Sequence, residues 1–399
     1  MHLGNRRYTQ WQHPDVRLAL LEWRRQLSRP RNVARQSQEI EQKVERSRPG
    51  WDARTRGARD GTDRPGRPIV PALLLCLALL WSWRAATAAD SLVVDATEYP
   101  WSAIGRINTA GRGFCTGFLV GPRSVLTAAH CLYNARDRYW YHPDDVHFVA
   151  GYQRDRHLAH SRAASFARPS GYRLDGGPDL GGSLDDWAVI TLAEPIGRTV
   201  GWLGLQRFDA TLLAALQRGG ARLLQAGYRR ERSHALSIGI GCEIPGLFAG
   251  GLGILHDCDV VEGGSGSPLL VLSGERLRVL GLHTRRLDSD EHAPYAAVLA
   301  ATIFDPEQGS PEAIAAGRAA GLVWADGTPP RAGSQARGAP GDTVAQLLMR
   351  LGFLGGGSAA SRSAAERQAA IRAFEQANGL PVTGQPSIAL LARLTAALR

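Results

Sequence analysis

Sulfur ligands in metal-binding spacing are absent from this sequence. Its 399 residues include five cysteines, no two of which form a Cys-x-x-Cys pair, and its 11 histidines are scattered along the chain. Structural zinc sites bring such ligands together at short, regular spacings. We therefore expect no metal site and no cofactor.

Lysine is almost absent as well: Lys43 is the only one, and every other basic side chain is arginine. The formal net charge of +10 would favour nucleic acid or an anionic membrane as a partner. However, residues 1–68 hold 16 Lys and Arg against 8 Asp and Glu, which leaves a net charge of +2 for the other 331 residues. Binding to nucleic acid is therefore not expected. A nucleic-acid or membrane-surface protein that binds through the basic extension is the alternative, and it predicts loss of binding when the residues before 69 are removed.

The apolar run at residues 69–83 is shorter than the roughly 20 residues that a membrane-spanning helix needs. It reads IVPALLLCLALLWSW, follows basic residues, and leads into RAATAAD, whose small residues suit cleavage. That order is typical of a secretory signal, here residues 69–89, and predicts a secreted or periplasmic protein. An uncleaved signal anchor is the alternative, and only then would we expect contact with a membrane. The extension before it, residues 1–68, is expected to be disordered because it offers little to bury.

Four cysteines remain if the signal removes Cys76: Cys115, Cys131, Cys242 and Cys258. An even number in an exported chain favours disulfides. Four cysteines allow three connectivities. Proximity in the sequence favours Cys115 with Cys131 and Cys242 with Cys258.

The chain changes character twice after the signal. Residues 90–304 consist of short apolar segments separated by Gly, Pro and Asp, such as GFCTGFLV, VHFVAG and LRVLGLHT. Many short strands without helical periodicity predict an all-β barrel or sandwich, and the length of the region suits two barrels. Residues 305–340 have the Pro, Gly and Ala content of a linker. Residues 341–399 show helical periodicity in three short stretches, so the predicted fold class is mainly β with a three-helix domain.

Three side chains with the chemistry of nucleophilic catalysis occur in separate segments. His130 lies at the end of the apolar segment LTAAHC, beside Cys131, and Ser265 stands between glycines in GGSGSP. Between them, DDWAVITL begins a strand with an acid. Serine is a weak nucleophile at neutral pH, so it needs a base to take its proton and an acid to orient that base. All three types are present, in the order His, Asp, Ser.

The motifs TAAHC, GGSGSP and Asp-Trp-Ala-Val resemble those of the chymotrypsin-like (trypsin-like) serine proteases, from about Tyr99 to Ala301. The resemblance implies two antiparallel β-barrels and hydrolysis of protein or peptide substrates through an acyl-enzyme. It makes His130 the general base, Asp186 the orienting carboxylate and Ser265 the nucleophile. The N–H groups of Gly263 and Ser265 would form the oxyanion hole.

Two alternatives stay open at this stage. Asp185 is the rival of Asp186, since the two are adjacent and only one can point inward from a strand. A degenerate protease fold that serves as a scaffold or as a cell-wall binding protein is the alternative to an enzyme, although a complete triad argues against it.

One departure from the family pattern concerns Gly264, which stands where the familiar proteases have the Asp that pairs with a newly freed amino terminus. The segments YPWSAIGRI and GLHT are closer to the bacterial glutamyl-endopeptidase branch. That resemblance implies that His283 and Thr284 line a pocket for an acidic substrate side chain, with the nearby Arg285 and Arg286 assisting. Alternatively, His283 is a wall residue. In that case the acidic Asp259 and Glu262 close to the nucleophile in sequence would disfavour an acidic substrate.

The last segment, residues 341–399, resembles the peptidoglycan-binding-like domain, a three-helix module of secreted cell-wall enzymes. The strongest part of the match runs from Ala370 to Gly384 within AIRAFEQANGLPVTGQPSIALLARL. The stretch SAASRSAAERQ departs from the Gly-rich pattern usual before the second helix. The resemblance implies binding to peptidoglycan; a structural or autoinhibitory appendage is the alternative.

Overall fold

The structure is a computed structural model. It describes residues 91–110, 113–170, 172, 180–248, 251–286, 295–299, 303 and 327–398. The chain divides into a unit of residues 1–19 and 89–399 and a unit of residues 20–88, and all described residues belong to the first. The predicted extension and signal therefore lie outside the described residues. None of the helices in the described part is long and apolar enough to cross a membrane.

Short strands dominate the described residues, as the sequence predicts. The strands are β1 (Leu92–Val93), β2 (Ile104–Thr109), β3 (Phe114–Leu119), β4 (Ser124–Thr127), β5 (Tyr133–Asn134), β6 (Tyr139–Trp140), β7 (Val146–Ala150), β8 (Ala159–Ala167), β9 (Ala188–Leu192), β10 (Gly204–Leu205), β11 (Arg222–Tyr228), β12 (Leu236–Cys242), β13 (Gly246–Phe248), β14 (Gly253–His256), β15 (Pro268–Ser273), β16 (Arg276–Arg286) and β17 (Tyr295–Leu299). The α-helices are α1 (Leu180–Leu184), α2 (Gly197–Val200), α3 (Ala210–Gln217), α4 (Gly341–Arg350), α5 (Ala364–Ala377) and α6 (Ile388–Ala397). Single 3-10 turns lie at Trp101–Ala103, Ala129–Leu132, Pro143–Asp145, Arg230–Arg232 and Ala359–Ser361.

Six antiparallel strands form a closed barrel in the order β2-β3-β4-β9-β8-β7. Closure leaves no unpaired strand edge. Along β7, burial alternates with the pleat, so that Phe148 and its alternate neighbours point inward while His147 and Val149 are only partly buried. Phe118, Leu126 and Ile190, from three other strands, are fully buried in the same core. The mainly β prediction is confirmed, and this barrel carries two of the three candidate catalytic residues at its strand ends.

The second predicted barrel is a nine-stranded sheet in the described residues. Its order is β1-β12-β11-β15-β16-β17-β14-β13, and β10 pairs in parallel with β16. The sheet nevertheless returns on itself, because the Cys242–Cys258 disulfide joins the end of β12 to the residues just after β14, near the other edge. The Glu243 N–H also donates to Asp257 Oδ1 at 2.6 Å. The disulfide, rather than a continuous strand ladder, thus brings these two strand ends together. In the other barrel, Cys115 is paired with Cys131.

The helices α4, α5 and α6 form the three-helix region that the sequence predicts. Val344, Leu347 and Leu348 of α4 are completely buried and pack with Phe374 and Leu391 from the other two helices. Side chains cap two of the helices. Ser363 and Glu366 form a reciprocal capping box at α5, and Ser387 Oγ accepts from the Leu390 N–H at α6.

The helical region packs on the β region through the segment that precedes β2. Both carboxylate oxygens of the buried Glu98 accept from the Asp342 N–H, at 2.8 and 2.9 Å, at the start of α4. Trp101 Nε1 donates to Thr343 Oγ1 at 2.9 Å. Burial raises the pKa of Glu98 to about 7, although the Asp342 N–H and the charge of Arg337 lower it. The division into 90–304, 305–340 and 341–399 stays a prediction, and these contacts join the first and last of those ranges.

Candidate active site

His130 is fixed between a strand end and a disulfide. β4 ends at Thr127, and the 3-10 turn Ala129–Leu132 carries the imidazole away from the barrel wall. The next residue, Cys131, is bonded to Cys115 in β3. This bond ties the backbone beside His130 to the neighbouring strand.

Strand pairing brings Asp186 to His130. β4 and β9 are antiparallel with Thr127 opposite Ala188, which places the residues just after β4 beside those just before β9. His130 Nδ1 lies 2.8 Å from Asp186 Oδ2, and the His130 N–H donates to Asp186 Oδ1 at 3.0 Å. The Asp186 side chain is buried, whereas the adjacent Asp185 is only partly buried. The geometry joins Asp186, rather than its neighbour, to the imidazole.

The environment of His130 favours its protonated form. Burial lowers the pKa of the imidazole, but the charge of Asp186 and its hydrogen bond together outweigh burial, so the pKa lies above its usual 6.5. The nearby positive charge of Arg285 acts in the opposite direction and limits the rise. A carboxylate behind an imidazole stabilises the imidazolium that forms when the ring takes a proton.

Ser265 lies in a turn that the other barrel supports. Its carbonyl accepts from the Thr116 N–H at 3.0 Å, and Thr116 Oγ1 donates to the Gly263 carbonyl at 2.9 Å. On the other side, the Gly266 N–H donates to the His283 carbonyl at 2.9 Å. The turn therefore has backbone contacts on both sides of Ser265.

The glycines around Ser265 are required by space as well as by conformation. Gly263 and Gly266 have φ of +93° and +77°, which L side chains rarely adopt. A Cβ on Gly266 would lie 2.2 Å from Thr127 Oγ1. A Cβ on Gly264 would lie 2.5 Å from Val260 Cγ1, so the Asp of the familiar proteases could not enter here without movement. The sequence GGSGSP is thus set by close packing around the turn.

Two N–H groups of this turn lack an acceptor among the described residues. Among the described residues, neither the Gly263 N–H nor the Ser265 N–H donates to a protein acceptor. Both belong to one tight turn, in which the Gly264 N–H donates to the Val261 carbonyl at 2.9 Å. Paired backbone donors without a protein acceptor are the arrangement that stabilises a developing oxyanion.

One cleft of about 680 Å³ brings the candidate residues together. Its lining includes His130, Asp186, Ser265, His283, Thr284, Arg285 and Arg286. The predicted triad and the predicted specificity residues therefore lie on the same cavity. Gly263, two residues before Ser265, is not among the residues that line this cleft.

His283 is held by a second histidine that sequence reasoning missed. Its Nδ1 lies 3.2 Å from His256 Nε2, both side chains are buried, and both pack against the Tyr295 ring. Burial lowers the pKa of His256 to about 3. Burial, followed by the neighbouring His256 and His130, holds the pKa of His283 well below 6.5, so both rings are neutral at neutral pH. His256 lies two strands away on β14 and belongs to no local motif, so nothing in the sequence signals this contact.

Thr284, which the resemblance places in the pocket, and the two carboxylates close to Ser265 in sequence have partners of their own. Thr284 Oγ1 donates to the Ala296 carbonyl at 3.0 Å. Asp259 is paired with Arg229, whose Nη1 lies 2.9 Å from its carboxylate, and Glu262 accepts from Arg230. Because each of these carboxylates has an arginine partner, their effect on an acidic substrate is smaller than their sequence position suggests.

Within the described residues, the one group of potential metal ligands lies at this site. Cys115, His130 and Cys131 are the one group there with ligand atoms close enough to share an ion. Both cysteines are consumed in the disulfide, and thiolate is the form that binds metals.

Comparisons with known families agree with this geometry. The model of the trypsin family matches residues 93–230, which include His130 and Asp186. Over this region the chain is similar to the trypsin family. The match ends before Ser265, so the assignment of Ser265 depends on the turn described above. The model of the putative peptidoglycan binding domain matches residues 342–394, which contain α5 and most of α4 and α6.

Two bacterial proteins are similar to part of this chain. Glutamyl endopeptidase of Bacillus licheniformis is 28% identical over 196 residues, covering 47% of this chain and 55% of the relative. A protein named extracellular metalloprotease of Bacillus subtilis is 28% identical over 124 residues, covering 30% of this chain and 37% of that protein. The chain thus spans about half or less of the curated relatives that it matches. Among solved structures, a Glu endopeptidase in complex with MPD is 22% identical, with a TM-score of 0.43 over 53% of this chain and 90% of that one.

Proposed function

We propose that the trypsin-like domain is a serine endopeptidase that hydrolyses peptide bonds through an acyl-enzyme. The observation that carries the proposal is the contact of 2.8 Å between His130 Nδ1 and the buried Asp186, on the cleft that also contains Ser265. A base oriented by a buried carboxylate next to a serine is the arrangement that activates a hydroxyl.

The roles follow from the chemistry of each group. The Ser265 hydroxyl attacks the substrate carbonyl carbon while His130 Nε2 takes the hydroxyl proton. The N–H groups of Gly263 and Ser265 stabilise the negative oxygen of the tetrahedral intermediate. When the C–N bond breaks, the amine leaves with the proton from His130. A water molecule, deprotonated by the same ring, then attacks the ester carbonyl and releases the acid and the free serine.

Covalent labelling with a fluorophosphonate probe tests this proposal. The wild-type chain is expected to react because the probe phosphorus is attacked only by an activated serine, whereas Ser265→Ala should not react. Ser273→Ala is the matched control, since Ser273 is an exposed serine at the end of β15, and it should be labelled like the wild type. Mass spectrometry of the labelled peptide identifies the residue. A folded wild-type chain that stays unlabelled would contradict the proposal and favour the inactive scaffold.

We further propose that His283 and Thr284 help to recognise an acidic side chain before the scissile bond. Support comes from the neutral His283 ring, fixed by His256, and from Arg285 and Arg286 on the same cleft. The name of the Bacillus licheniformis relative points the same way. A peptide series that varies only this residue tests the preference: Glu or Asp should be cleaved fastest, and a preference for Arg or for bulky apolar residues would contradict it.

We also propose that residues 341–399 bind peptidoglycan and keep a secreted or periplasmic enzyme at the cell wall. The match of 342–394 to the putative peptidoglycan binding domain supports this role. Protein or peptide substrates near the wall would then be preferred by proximity rather than by sequence.

Sedimentation with insoluble peptidoglycan tests this role. The full-length Ser265→Ala chain is used so that nothing in the sample is cleaved, and it should pellet with peptidoglycan but not with cellulose. A Ser265→Ala chain ending at residue 340 should stay in solution. The same truncation with Ser265 retained should react with the fluorophosphonate, which shows that its β region is still folded. Equal pelleting of both chains, or none of the full chain, would contradict a wall-binding role for the helices.

A further inference from the structure

The carbonyl groups of residues 262–265 determine which way the N–H groups of this turn point. In a trans peptide the C=O and the N–H lie in one plane and point in opposite directions. The Glu262 carbonyl accepts from the Arg230 N–H at 2.7 Å, which fixes the plane that contains the Gly263 N–H. The next carbonyl but one, that of Gly264, accepts from the Ser267 N–H at 3.0 Å and fixes the plane that contains the N–H of residue 265.

Thr116 holds the other two peptide planes of the turn. Its hydroxyl donates to the Gly263 carbonyl at 2.9 Å, and its backbone N–H donates to the Ser265 carbonyl at 3.0 Å. A single residue of β3 thus supplies two of the four donors that hold these consecutive carbonyls. Gly263 has φ of +93°, and a glycine has no side chain to restrict the plane that follows it. The orientation of that plane therefore depends on the hydroxyl.

The Thr116 hydroxyl is itself held in a fixed direction. It accepts from the N–H of Tyr228, the last residue of β11, at 3.0 Å, and this leaves its single proton for the Gly263 carbonyl. The Thr116 carbonyl accepts in turn from Thr127 Oγ1 of β4 at 2.9 Å. Both threonines and Tyr228 are completely buried, so water does not compete for these bonds. Strands of both β regions therefore meet at this hydroxyl, directly beside the turn.

We propose that Thr116 is a positioning residue for the oxyanion hole. Its hydroxyl, held between β11 and the turn, keeps the N–H groups of Gly263 and Ser265 directed at the oxygen of the tetrahedral intermediate. The inference rests on the proposed endopeptidase function, which supplies that oxygen, but the hydrogen bonds of the hydroxyl do not depend on it. None of these bonds involves His130 or Asp186, so proton transfer is a separate part of the mechanism.

Steady-state kinetics of Thr116→Val with a peptide substrate test this role. Valine keeps the shape of the side chain, but it leaves the Gly263 carbonyl without its donor and the Tyr228 N–H without its acceptor. We expect kcat to fall by about tenfold, which is the size of one hydrogen bond, while KM stays within about twofold of the wild type. Thr116→Ser keeps the hydroxyl and should retain most of the wild-type kcat.

The pH dependence separates this role from a general disturbance of the site. The kcat/KM of Thr116→Val should rise with pH at the same place as that of the wild type, because the contact between His130 Nδ1 and Asp186 is not altered. The variant should also react more slowly with the fluorophosphonate, since the oxygen on phosphorus takes the place of the substrate oxygen. A kcat loss that comes with a shifted pH profile would indicate a displaced His130 and would overturn the proposal.

Ser161→Ala is the matched control for the loss of a buried hydroxyl. Ser161 Oγ also joins an N–H to a carbonyl, because it accepts from the Glu194 N–H and donates to the Arg162 carbonyl, both at 3.0 Å. This variant should unfold at a lower temperature, as Thr116→Val does, but should keep its kcat. If the valine variant does not fold, Thr116→Ala replaces it, since alanine removes the hydroxyl without placing a methyl group against the Gly263 carbonyl. A folded chain without the hydroxyl that keeps the wild-type kcat, or a Thr116→Ser chain that loses as much as Thr116→Val, would overturn the proposal.

Amide hydrogen exchange keeps this result distinct from failure of the proposed function. If the folded wild type neither hydrolyses peptides nor reacts with the probe, the endopeptidase proposal fails. Exchange over residues 261–268, measured by mass spectrometry in the Ser265→Ala chain, then still reports on the turn. The Gly264 and Gly266 N–H groups, which are both hydrogen-bonded, should exchange faster when Thr116→Val is added but not when Thr116→Ser is added. Equal exchange in all three chains would mean that the hydroxyl does not hold the turn.

Discussion

Asp186→Asn is expected to lower kcat by about 10⁴-fold, which is the loss that this exchange causes in a trypsin-type triad. The Asp186 carboxylate accepts from both the backbone N–H and Nδ1 of His130. An asparagine side chain has only one acceptor oxygen. If that oxygen accepts from the His130 backbone N–H, the NH₂ group faces Nδ1 and holds the ring in the wrong tautomer. Asp185→Asn is the matched control and should change kcat only a few-fold, because Asp185 is the less buried of the two and makes neither bond.

The pH dependence gives a second readout for the same pair of variants. The base must be neutral to accept the Ser265 proton, so kcat/KM should rise with pH through the pKa of His130. This pKa lies above 6.5 because of Asp186. In Asp186→Asn only burial and the charge of Arg285 remain, and both lower the pKa. The residual activity should therefore reach its plateau at a lower pH than in the wild type. A larger loss, or the pH shift, in Asp185→Asn instead would overturn the assignment.

The sequence predicted which kinds of side chain form the site, but it left the choice between two adjacent carboxylates open. The motifs around His130 and Ser265 are local, so adjacent residues determine the backbone conformation that these side chains need. The choice between Asp185 and Asp186 is different, because it depends on the register that pairs Thr127 with Ala188. A shift of one residue would turn the other carboxylate inward, and no local pattern sets that register.

Contacts between distant strands account for what the sequence left out. His256 reaches His283 only because β14 pairs with β17, and β17 pairs with β16. Arg106 is close to the turn that contains Ser265 through the Phe114 ring, which touches Gly263 more than a hundred positions away in the chain. The closed barrel matched expectation. The second sheet has no closed ladder in the described residues, and the Cys242–Cys258 disulfide joins the end of β12 to the residues just after β14.

Gly263→Ala is expected to lower kcat by about 10²- to 10³-fold, the usual loss of one oxyanion-hole donor. The added Cβ would lie 2.6 Å from both the Phe114 ring and the Tyr228 carbonyl oxygen, and φ at this residue is +93°. The ring can shift, but the carbonyl belongs to strand β11 and is held by the sheet. The turn must therefore move, and the Gly263 N–H moves away from the substrate oxygen. KM should change less than kcat, because this hydrogen bond forms most strongly in the transition state.

Gly274→Ala isolates the cost of the backbone conformation alone. Gly274 also has positive φ, +56°, but a Cβ there would meet nothing within 4 Å. Both variants should unfold at a lower temperature than the wild type, since a non-glycine residue in this region costs about 1 kcal/mol. Only Gly263→Ala should also lose kcat while the chain is still folded. Thermal unfolding monitored by circular dichroism, together with steady-state kinetics well below the transition, separates the two effects. An unchanged kcat in a folded Gly263→Ala chain would mean that the Gly263 N–H takes no part in stabilising the oxyanion.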